Sequence, residues 1–369
     1  MAIAALKPLE QRLRRLILAR QPPFTGRLIT SPGEAIDLGA TPRILFVRAE
    51  RIGDVLVSVP VIRAVRRRYP GATLDLLVST ANAGVEPGLA RWIDHVWRYQ
   101  KRFGSTVRLV RELRRARYDL IVDLAGGPSV TSRFVATWSD ADRVLGLLHE
   151  QAGLLTHAVP RLDPRRVHIV ECTAQLLLAF GIDPAGADLS LEYTLTDTER
   201  ARARARLPAS SRPLRLGVNV SGRGPDKYWG RENFIAAIRM IGQLDARFTV
   251  IVCGAPDYQD EVSAIAAAAG VDAIPPLPRF HDFAAMVSAC DLLLTPDTCV
   301  VHLAAAWRIP MVGLFRAEPN TTPWTPYDTP HRAIVHDGPL AGVPPIRVAL
   351  EMADLIDRRF DRPTGDAGW

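Results

Sequence analysis

Apolar runs of strand length alternate with amphipathic segments of helix length along most of this chain, and the alternation begins twice. The first series contains predicted strands at residues 43–47, 74–78 and 120–124. A Pro- and Ser-rich break at residues 208–213 precedes the second series, with predicted strands at residues 214–220, 248–253, 291–294 and 310–315. Strands that alternate with helices form parallel sheets covered on both faces. The pattern therefore predicts an α/β chain with two Rossmann-like domains, whose parallel sheets face a central cleft.

Domain limits follow from this pattern and from the length of 369 residues, which favours two domains. We expect an N-terminal helix and linker at 1–42, a first Rossmann-like domain at 43–207, a second at 208–345, and a C-terminal helix and tail at 346–369. No run approaches the roughly 18 apolar residues that a membrane span needs, and the N-terminus lacks a signal-peptide layout. These features predict a cytoplasmic location. The four cysteines show no C-x-x-C spacing, so we expect reduced core thiols.

Positive charge is concentrated near the N-terminus, where residues 1–70 hold 13 Lys+Arg and 5 Asp+Glu. Residues 1–20 are predicted to form an amphipathic helix with an apolar face, which consists of Leu9, Leu13, Leu16 and Ile17. Such a helix either makes peripheral contact with an anionic inner membrane or packs on its own protein. No nucleic-acid-binding module accompanies the basic residues, so nucleic acid is not expected as a partner.

A carboxylate follows the first predicted strand, within residues 48–54 (RAERIGD). Gly53 permits a tight turn, and Asp54 then lies at the carboxyl end of the strand, where such sheets bind ligands. A carboxylate there suits proton transfer from a hydroxyl group. The plainer interpretation is that Asp54 caps the next helix. Arg48 and Arg51 beside it are candidates for holding acceptor phosphates, or they are solvated.

A Gly-rich segment, residues 221–229 (SGRGPDKYW), follows the first predicted strand of the second domain. Ser221 and Gly222 are small enough to let a backbone approach a diphosphate, and Lys227 supplies a positive charge. The chain has only three lysines among its 46 Lys+Arg residues, so a lysine in this loop is less expected by chance. The alternative is a surface lysine without a ligand.

A third segment, residues 295–302 (TPDTCVVH), joins a predicted strand to an Ala-rich helix. Backbone N–H groups at the start of a helix form an anion site, to which the Thr298 hydroxyl adds a hydrogen bond. Thr298 and His302 are four residues apart and so share a helix face. A single D-x-D, at residues 140–142, follows no predicted strand, and we expect no metal site. The motifs of dinucleotide dehydrogenases, P-loop NTPases and α/β-hydrolases are absent.

Together these segments resemble glycosyltransferase family 9, the ADP-heptose:lipopolysaccharide heptosyltransferases, over about residues 43–330. The resemblance rests on I-G-D at 52–54 with P-x-x-R-A at 60–64, K-x-W at 227–229, G-A-P at 254–256 and D-T-x-x-x-H-L-A-A-A at 297–306. It implies a GT-B fold and metal-independent, inverting transfer of a heptose-like sugar. The implied donor is a nucleotide-diphosphate-sugar, with an ADP-sugar favoured and no cofactor. The implied acceptor is lipopolysaccharide-type or another glycan, or a lipid-linked acceptor.

Residue by residue, the resemblance implies that Asp54 is the catalytic base and that Lys227 contacts the donor diphosphate. The donor-binding motif then consists of Asp297, Thr298, the amide of Cys299, and His302. Two segments depart from the family pattern. Cys299 stands where the family usually has glycine, and residues 316–318 (RAE) replace the usual Gly-Pro. These departures motivate an alternative, a non-catalytic nucleotide-sugar-binding protein on a GT-B scaffold. A basic nucleic-acid binder that uses residues 1–70 is the other alternative.

Overall fold

The structure is a computed structural model that describes residues 23–100, 102–209, 212–319, 321 and 324–361. The chain divides into two compact units, the first ending at Leu189 and the second beginning at Ser190. This division comes before the boundary predicted between residues 207 and 208. The reason is the helix Asp197–Arg206, whose Glu199 Oε1 lies 2.8 Å from His281 Nε2 in the second unit. The Pro/Ser break therefore separates a helix from a strand inside the second unit.

The first unit is built around one parallel sheet, with helices between its strands. Its strands are β1 (Arg27–Leu28), β2 (Arg43–Val47), β3 (Thr73–Ser79), β4 (His95–Tyr99), β5 (Leu120–Asp123), β6 (Val144–Leu147) and β7 (His157–Val159). Its α-helices are α1 (Ile52–Leu56), α2 (Val59–Arg68), α3 (Phe103–Ala116), α4 (Val130–Trp138) and α5 (Ile169–Ala174). Short 3₁₀ segments lie at Pro32–Glu34, Ala83–Leu89, Gln175–Phe180 and Pro184–Gly186. The strands lie in the order β1-β7-β6-β5-β2-β3-β4, and every neighbouring pair is parallel.

The second unit repeats this design. Its strands are β8 (Leu214–Asn219), β9 (Phe248–Cys253), β10 (Asp272–Ala273), β11 (Leu292–Pro296), β12 (Met311–Arg316) and β13 (His331–His336). Its α-helices are α6 (Asp197–Arg206), α7 (Arg231–Leu244), α8 (Gln259–Ala269), α9 (Phe280–Val287), α10 (Cys299–Trp307) and α11 (Pro345–Ile356). Single 3₁₀ turns lie at Pro225–Lys227, Pro256–Tyr258 and Leu340–Gly342, and a π-helical turn at Asp357–Asp361. The strand order is β10-β9-β8-β11-β12-β13, again parallel throughout.

Both sheets follow one topological scheme. If strands are counted from β2 in the first unit and from β8 in the second, each sheet has the spatial order 3-2-1-4-5-6. This is the order of the doubly wound Rossmann fold, in which ligands bind at the carboxyl ends of the strands where the order reverses. The reversal falls between β2 and β5 in the first unit and between β8 and β11 in the second. These two places are where functional groups are expected.

Sequence patterns predicted most of these elements because buried strands and helix faces have clear periods. The strands at 43–47 and 248–253 and the two Rossmann-like sheets are confirmed. Helix α2 begins at Val59 with Pro60 in its first turn, where the missing N–H of proline costs no helical hydrogen bond. The linker predicted at residues 21–42 is wrong for its described part. There β1 pairs with β7, and the side chains of Ile29 and Ile36 are buried.

A helix is predicted near each end of the chain, and the structure describes the C-terminal one. The amphipathic helix predicted at residues 1–20 lies outside the described residues. The predicted C-terminal helix is present as α11, which begins at Pro345. No helix among the described residues combines the length and hydropathy that would let it cross a bilayer. The four cysteines are free thiols, with Cys299 partly exposed and the other three buried.

Candidate functional site

The first unit places Asp54 at the point where its strand order reverses. Asp54 lies in the first turn of α1, the helix that follows β2. Its side chain is 12% exposed. Its Oδ1 lies 3.3 Å from Nη2 of Arg48, whose side chain is only 3% exposed. The backbone carbonyl of Asp54 also accepts a hydrogen bond from the Ser58 hydroxyl at 2.9 Å. The carboxylate is thus held at the carboxyl edge of the sheet, close to solvent.

Arg48 has a different role from the one predicted for it. Its Nε donates to the Asp54 carbonyl at 3.1 Å, and its Nη1 donates to the Leu124 carbonyl at 2.6 Å. With Nη2 beside the Asp54 carboxylate, all three guanidinium nitrogens face acceptors of the protein itself. Arg48 therefore joins the end of β2 to the end of β5 and orients Asp54, which leaves it poorly suited to hold an acceptor phosphate. Arg51, the N-cap residue of α1, is exposed and keeps that candidacy.

The surroundings of Asp54 make its carboxylate more basic than usual. Burial raises its pKa, because a low-polarity environment disfavours the charged form. The neighbouring Arg48 guanidinium opposes this rise, and the Glu50 carboxylate adds to it. A raised pKa strengthens a carboxylate as a proton acceptor, which is the property that a general base needs.

A second carboxyl group, which the sequence analysis did not single out, lies on the adjacent strand. Asp123 ends β5 and is buried; its Oδ1 accepts hydrogen bonds from the Ser132 hydroxyl at 2.7 Å and the Ala125 N–H at 2.9 Å. Burial raises the pKa of Asp123 to about 7. The Ser129 hydroxyl, which caps α4, donates to Glu50 Oε1 at 3.1 Å. The signal in the sequence was a carboxylate inside the apolar run LIVDL, because a buried strand seldom contains an aspartate unless that aspartate is paired.

In the second unit, Ser221 and Gly222 shape the loop that follows β8. The Ser221 Oγ accepts a hydrogen bond from the Ala255 N–H at 2.6 Å, which ties this loop to the one after β9. A Cβ on Gly222 would lie 2.1 Å from the Lys227 carbonyl oxygen, so only glycine fits there. The close backbone approach that requires Gly222 is thus made by the loop itself. At the end of the loop, Trp229 is fully buried and donates from Nε1 to the Val343 carbonyl at 2.9 Å.

Lys227 is positioned by this loop at the carboxyl edge of the second sheet. Its Nζ lies 2.5 Å from Oδ2 of Asp297, the residue that follows β11. Glu318, in the loop after β12, is also near, with its Oε1 at 3.6 Å from the same ammonium group. The two predicted donor residues Lys227 and Asp297 are therefore brought into direct contact. Neither is fully buried, since their side chains are 19% and 27% exposed.

Helix α10 begins at Cys299, and Thr298 is its N-cap residue. The Thr298 hydroxyl accepts from the Val300 N–H at 3.3 Å, and it lies 3.1 Å from Nδ2 of the buried Asn219. Cys299 is the first residue of α10 and is not among the described residues with positive φ, so its side chain replaces glycine without backbone strain. Burial raises the pKa of its thiol to about 12, which keeps the thiol protonated.

His302 lies one turn further along α10, on the buried side. Its side chain is only 3% exposed, and its ring centroid is 6.2 Å from that of Trp324. His302 is therefore buried within the second unit, whereas Thr298 is partly exposed.

No metal-binding arrangement is found in the part of the chain that the structure describes, where no three His, Cys, Asp or Glu side chains are grouped to hold an ion. The first aspartate of the D-x-D pair, Asp140, instead lies 3.1 Å from Nε of Arg114.

Comparison with known proteins gives one consistent result. Residues 106–339 match the sequence profile described as "Glycosyltransferase family 9 (heptosyltransferase)". Lipopolysaccharide heptosyltransferase 3 of Escherichia coli K12 is 24% identical over 295 residues, which cover 74% of this chain and 83% of that protein.

Solved structures show the same fold. A glycosyl transferase family 9 protein from Veillonella parvula has a TM-score of 0.70 at 18% identity, covering 88% of this chain and 99% of that one. The E. coli protein named ADP-heptose lps heptosyltransferase II has a TM-score of 0.66 at 22% identity, covering 86% of this chain and 99% of that one. With two α/β units, each built on a parallel sheet, and with these structural neighbours, the chain has the GT-B fold.

Proposed function

Since the chain belongs to glycosyltransferase family 9 and is a glycosyltransferase, we propose that it moves a heptose-like sugar from an ADP-sugar to a lipopolysaccharide-type acceptor. The names of its relatives support the sugar and the acceptor: one is a lipopolysaccharide heptosyltransferase, and another is an ADP-heptose lps heptosyltransferase. We further propose that the transfer inverts the anomeric centre and uses no metal ion.

The observation that carries this proposal is the placement of Asp54. A carboxylate that only caps a helix needs no buried partner, yet here a buried arginine, Arg48, fixes both the backbone and the side chain of Asp54. Burial also raises the pKa of Asp54. A group that is oriented, partly desolvated and still 12% exposed suits proton abstraction from an acceptor hydroxyl.

The proposed step is a single displacement at the anomeric carbon of the donor. The acceptor oxygen forms a bond to this carbon while its proton passes to Asp54. The bond from the anomeric carbon to the diphosphate oxygen breaks, and its electron pair leaves with the nucleoside diphosphate. Lys227 and the N–H groups at the start of α10 stabilise this leaving group, which is the kind of electrostatic contribution that usually dominates catalysis.

Family membership favours this enzyme over both alternatives, the non-catalytic nucleotide-sugar binder and the basic nucleic-acid binder. The departure at Cys299 gives the first alternative little support, because cysteine occupies a helical position without strain. We also propose a cytoplasmic location, with peripheral contact to an anionic membrane through the amphipathic helix predicted at residues 1–20. The sequence pattern of this helix supports the contact.

The test is a screen of ADP, GDP and UDP and their sugars for thermal stabilisation, followed by a transfer assay with the sugar that stabilises most. A ligand at 100 times its Kd adds about 2.7 kcal/mol to the free energy of unfolding. We expect ADP-heptose and ADP to stabilise, and ADP-heptose to support transfer with inversion. A chelator should leave the rate unchanged. Binding without transfer to any glycan acceptor would favour the non-catalytic alternative, and binding of DNA or RNA that weakens steeply with salt would favour the other.

A further inference from the structure

A loop that departs from the family pattern touches the Gly-rich loop at two consecutive residues. Arg316, at the end of β12, places its Nη1 2.9 Å from Oδ2 of Asp226. Two residues later, Glu318 places its Oε1 3.6 Å from Nζ of Lys227. Where the family usually has Gly-Pro, which carries no charge, this chain therefore places a cation and an anion against the loop assigned to the diphosphate.

The five charges form one group at the carboxyl edge of the second sheet. The cations are Lys227 and Arg316, and the carboxylates are Asp226, Asp297 and Glu318. Each cation has a carboxylate within 2.9 Å. A diphosphate that reaches Lys227 therefore competes with both Asp297 and Glu318, and Glu318 is the more distant and more exposed of these two carboxylates.

Arg316 has the chemistry to serve the same ligand. Its guanidinium presents five N–H donors in a planar fork that matches the geometry of phosphate oxygens. Its side chain is 41% exposed, in contrast to Arg48, which is buried among protein acceptors. Its partner Asp226 directly precedes Lys227, so the fork lies next to the residue assigned to the diphosphate.

We propose that residues 316–318 are a chain-specific part of the donor site, in which Arg316 supplies a second cation to the diphosphate and the Glu318 carboxylate competes with the diphosphate for Lys227. The inference rests on the proposed function of this site. It makes Arg316 a determinant of diphosphate affinity and Glu318 a competitor that weakens it.

The experiment measures the affinities of the full chain for ADP, AMP and adenosine by calorimetry. Arg316→Ala should weaken ADP binding about tenfold, since hydrogen bonds to charged groups are the stronger class, and should leave adenosine binding within about twofold. Arg316→Lys should lose about threefold, because it keeps the charge and loses the fork. Glu318→Gln should tighten ADP binding about threefold, the size expected for release of an exposed ion pair.

Two variants in the same unit are matched controls. Arg358 is 47% exposed and lies 2.9 Å from Asp354, so Arg358→Ala removes an equivalent ion pair away from the loop. Glu351 lies 3.8 Å from Arg332, so Glu351→Gln matches Glu318→Gln. Both controls should bind ADP like the unmodified chain.

The inference is overturned if Arg316→Ala binds ADP as the unmodified chain does, or if its loss equals that of Arg358→Ala. A loss shared equally by ADP and adenosine would also overturn it, because it would indicate a disturbed unit and no phosphate contact. Failure of the proposed function has a different signature: the unmodified chain itself then binds none of ADP, GDP and UDP, and the inference falls with it.

Discussion

The two units place different chemistry at the same topological position. Each sheet reverses its strand order next to its first core strand, β2 in one and β8 in the other. In the first unit, the residue there is a carboxylate with a buried arginine, and burial raises its pKa. In the second unit, a lysine and an arginine lie among three carboxylates, and all five side chains are at least 19% exposed.

This difference in burial matches the two tasks that the proposed function assigns to the units. A base gains strength when water is removed from its charged form, so Asp54 benefits from partial burial. A site for a diphosphate has to exchange its own ion pairs for those with the ligand. That exchange costs little when the pairs are exposed, because surface ion pairs contribute only about 0–1 kcal/mol. The strand ends are topologically equivalent, and in the proposed function the degree of burial separates the base from the diphosphate site.

The comparison is tested most severely by Asp54→Asn. We expect turnover to fall by roughly 10²–10⁴-fold, because the amide cannot accept the proton, with donor affinity unchanged. Since the ionised form is required and burial raises its pKa, turnover of the unmodified chain should fall as the pH is lowered through that raised value. Steady-state kinetics and calorimetric donor binding measure both.

The matched control for Asp54 is Asp140→Asn, an exposed carboxylate of the first unit that pairs with Arg114. Asp140 has a φ of 56°, a conformation that asparagine also adopts. We expect normal turnover from this variant. Near-normal turnover in Asp54→Asn would exclude Asp54 from the mechanism.

For the second unit, the corresponding change is Lys227→Ala. Loss of a charged hydrogen bond should weaken binding of ADP and ADP-sugars by roughly 10–100-fold. Adenosine should be affected far less, because Lys227 is assigned to the phosphates alone. Titration calorimetry with ADP and adenosine makes the distinction. Equal losses for both ligands would mean that Lys227, with Asp297, is a structural ion pair.

Burial of the Asp123 carboxylate reduces the free energy of unfolding near neutral pH, and Asp123→Asn should reveal this reduction. The pKa of Asp123 is raised to about 7 from an ordinary value near 4, so the folded state binds the proton more tightly. The contribution of the protonated Asp123 carboxyl group to stability is fully present below about pH 4 and is lost as the pH rises through about 7. Asparagine does not titrate, so relative to the unmodified chain the variant should gain roughly 1–3 kcal/mol between pH 5 and pH 8.

Urea unfolding at the two pH values measures this difference. Asp282→Asn serves as the control, because this carboxylate pairs with Arg279 in the second unit at 2.8 Å. A stability difference between Asp123→Asn and the unmodified chain that does not change with pH would contradict the assignment of a raised pKa to Asp123.

The smallest effect on turnover is expected from removing residues 1–22. A chain that begins at Pro23 keeps β1 and the buried Ile29 and Ile36, which a chain beginning at Thr41 would lose. Turnover on a soluble acceptor should stay within about twofold. Sedimentation with anionic vesicles should decrease, because each basic residue near such a surface contributes about 1 kcal/mol. If the unmodified chain ignores these vesicles at low salt, the membrane contact is wrong.

Part of the candidate site could be predicted because it depends on neighbours in the chain. Asp54 and Thr298 follow directly on strands with clear apolar patterns, and Lys227 stands in a Gly-rich segment. Asp123 was missed because a carboxylate at the end of an apolar run is also what an ordinary strand end looks like in the sequence. The buried contacts of Arg48 could not be predicted, because its acceptor on Leu124 lies 76 residues away in the sequence.

The sequence by itself determined the two parallel sheets and the strand ends that carry the candidate residues, since hydrophobic period and turn residues act over a few positions. It placed the division between the domains at residues 208–213, whereas the structure divides the chain after Leu189. The tertiary structure alone decided which charges meet. Arg48 reaches the Leu124 carbonyl across 76 residues, and Arg316 reaches Asp226 across 90. Such contacts depend on the spatial order of the strands in each sheet. That order determines which groups surround Asp54 and which form ion pairs with Lys227.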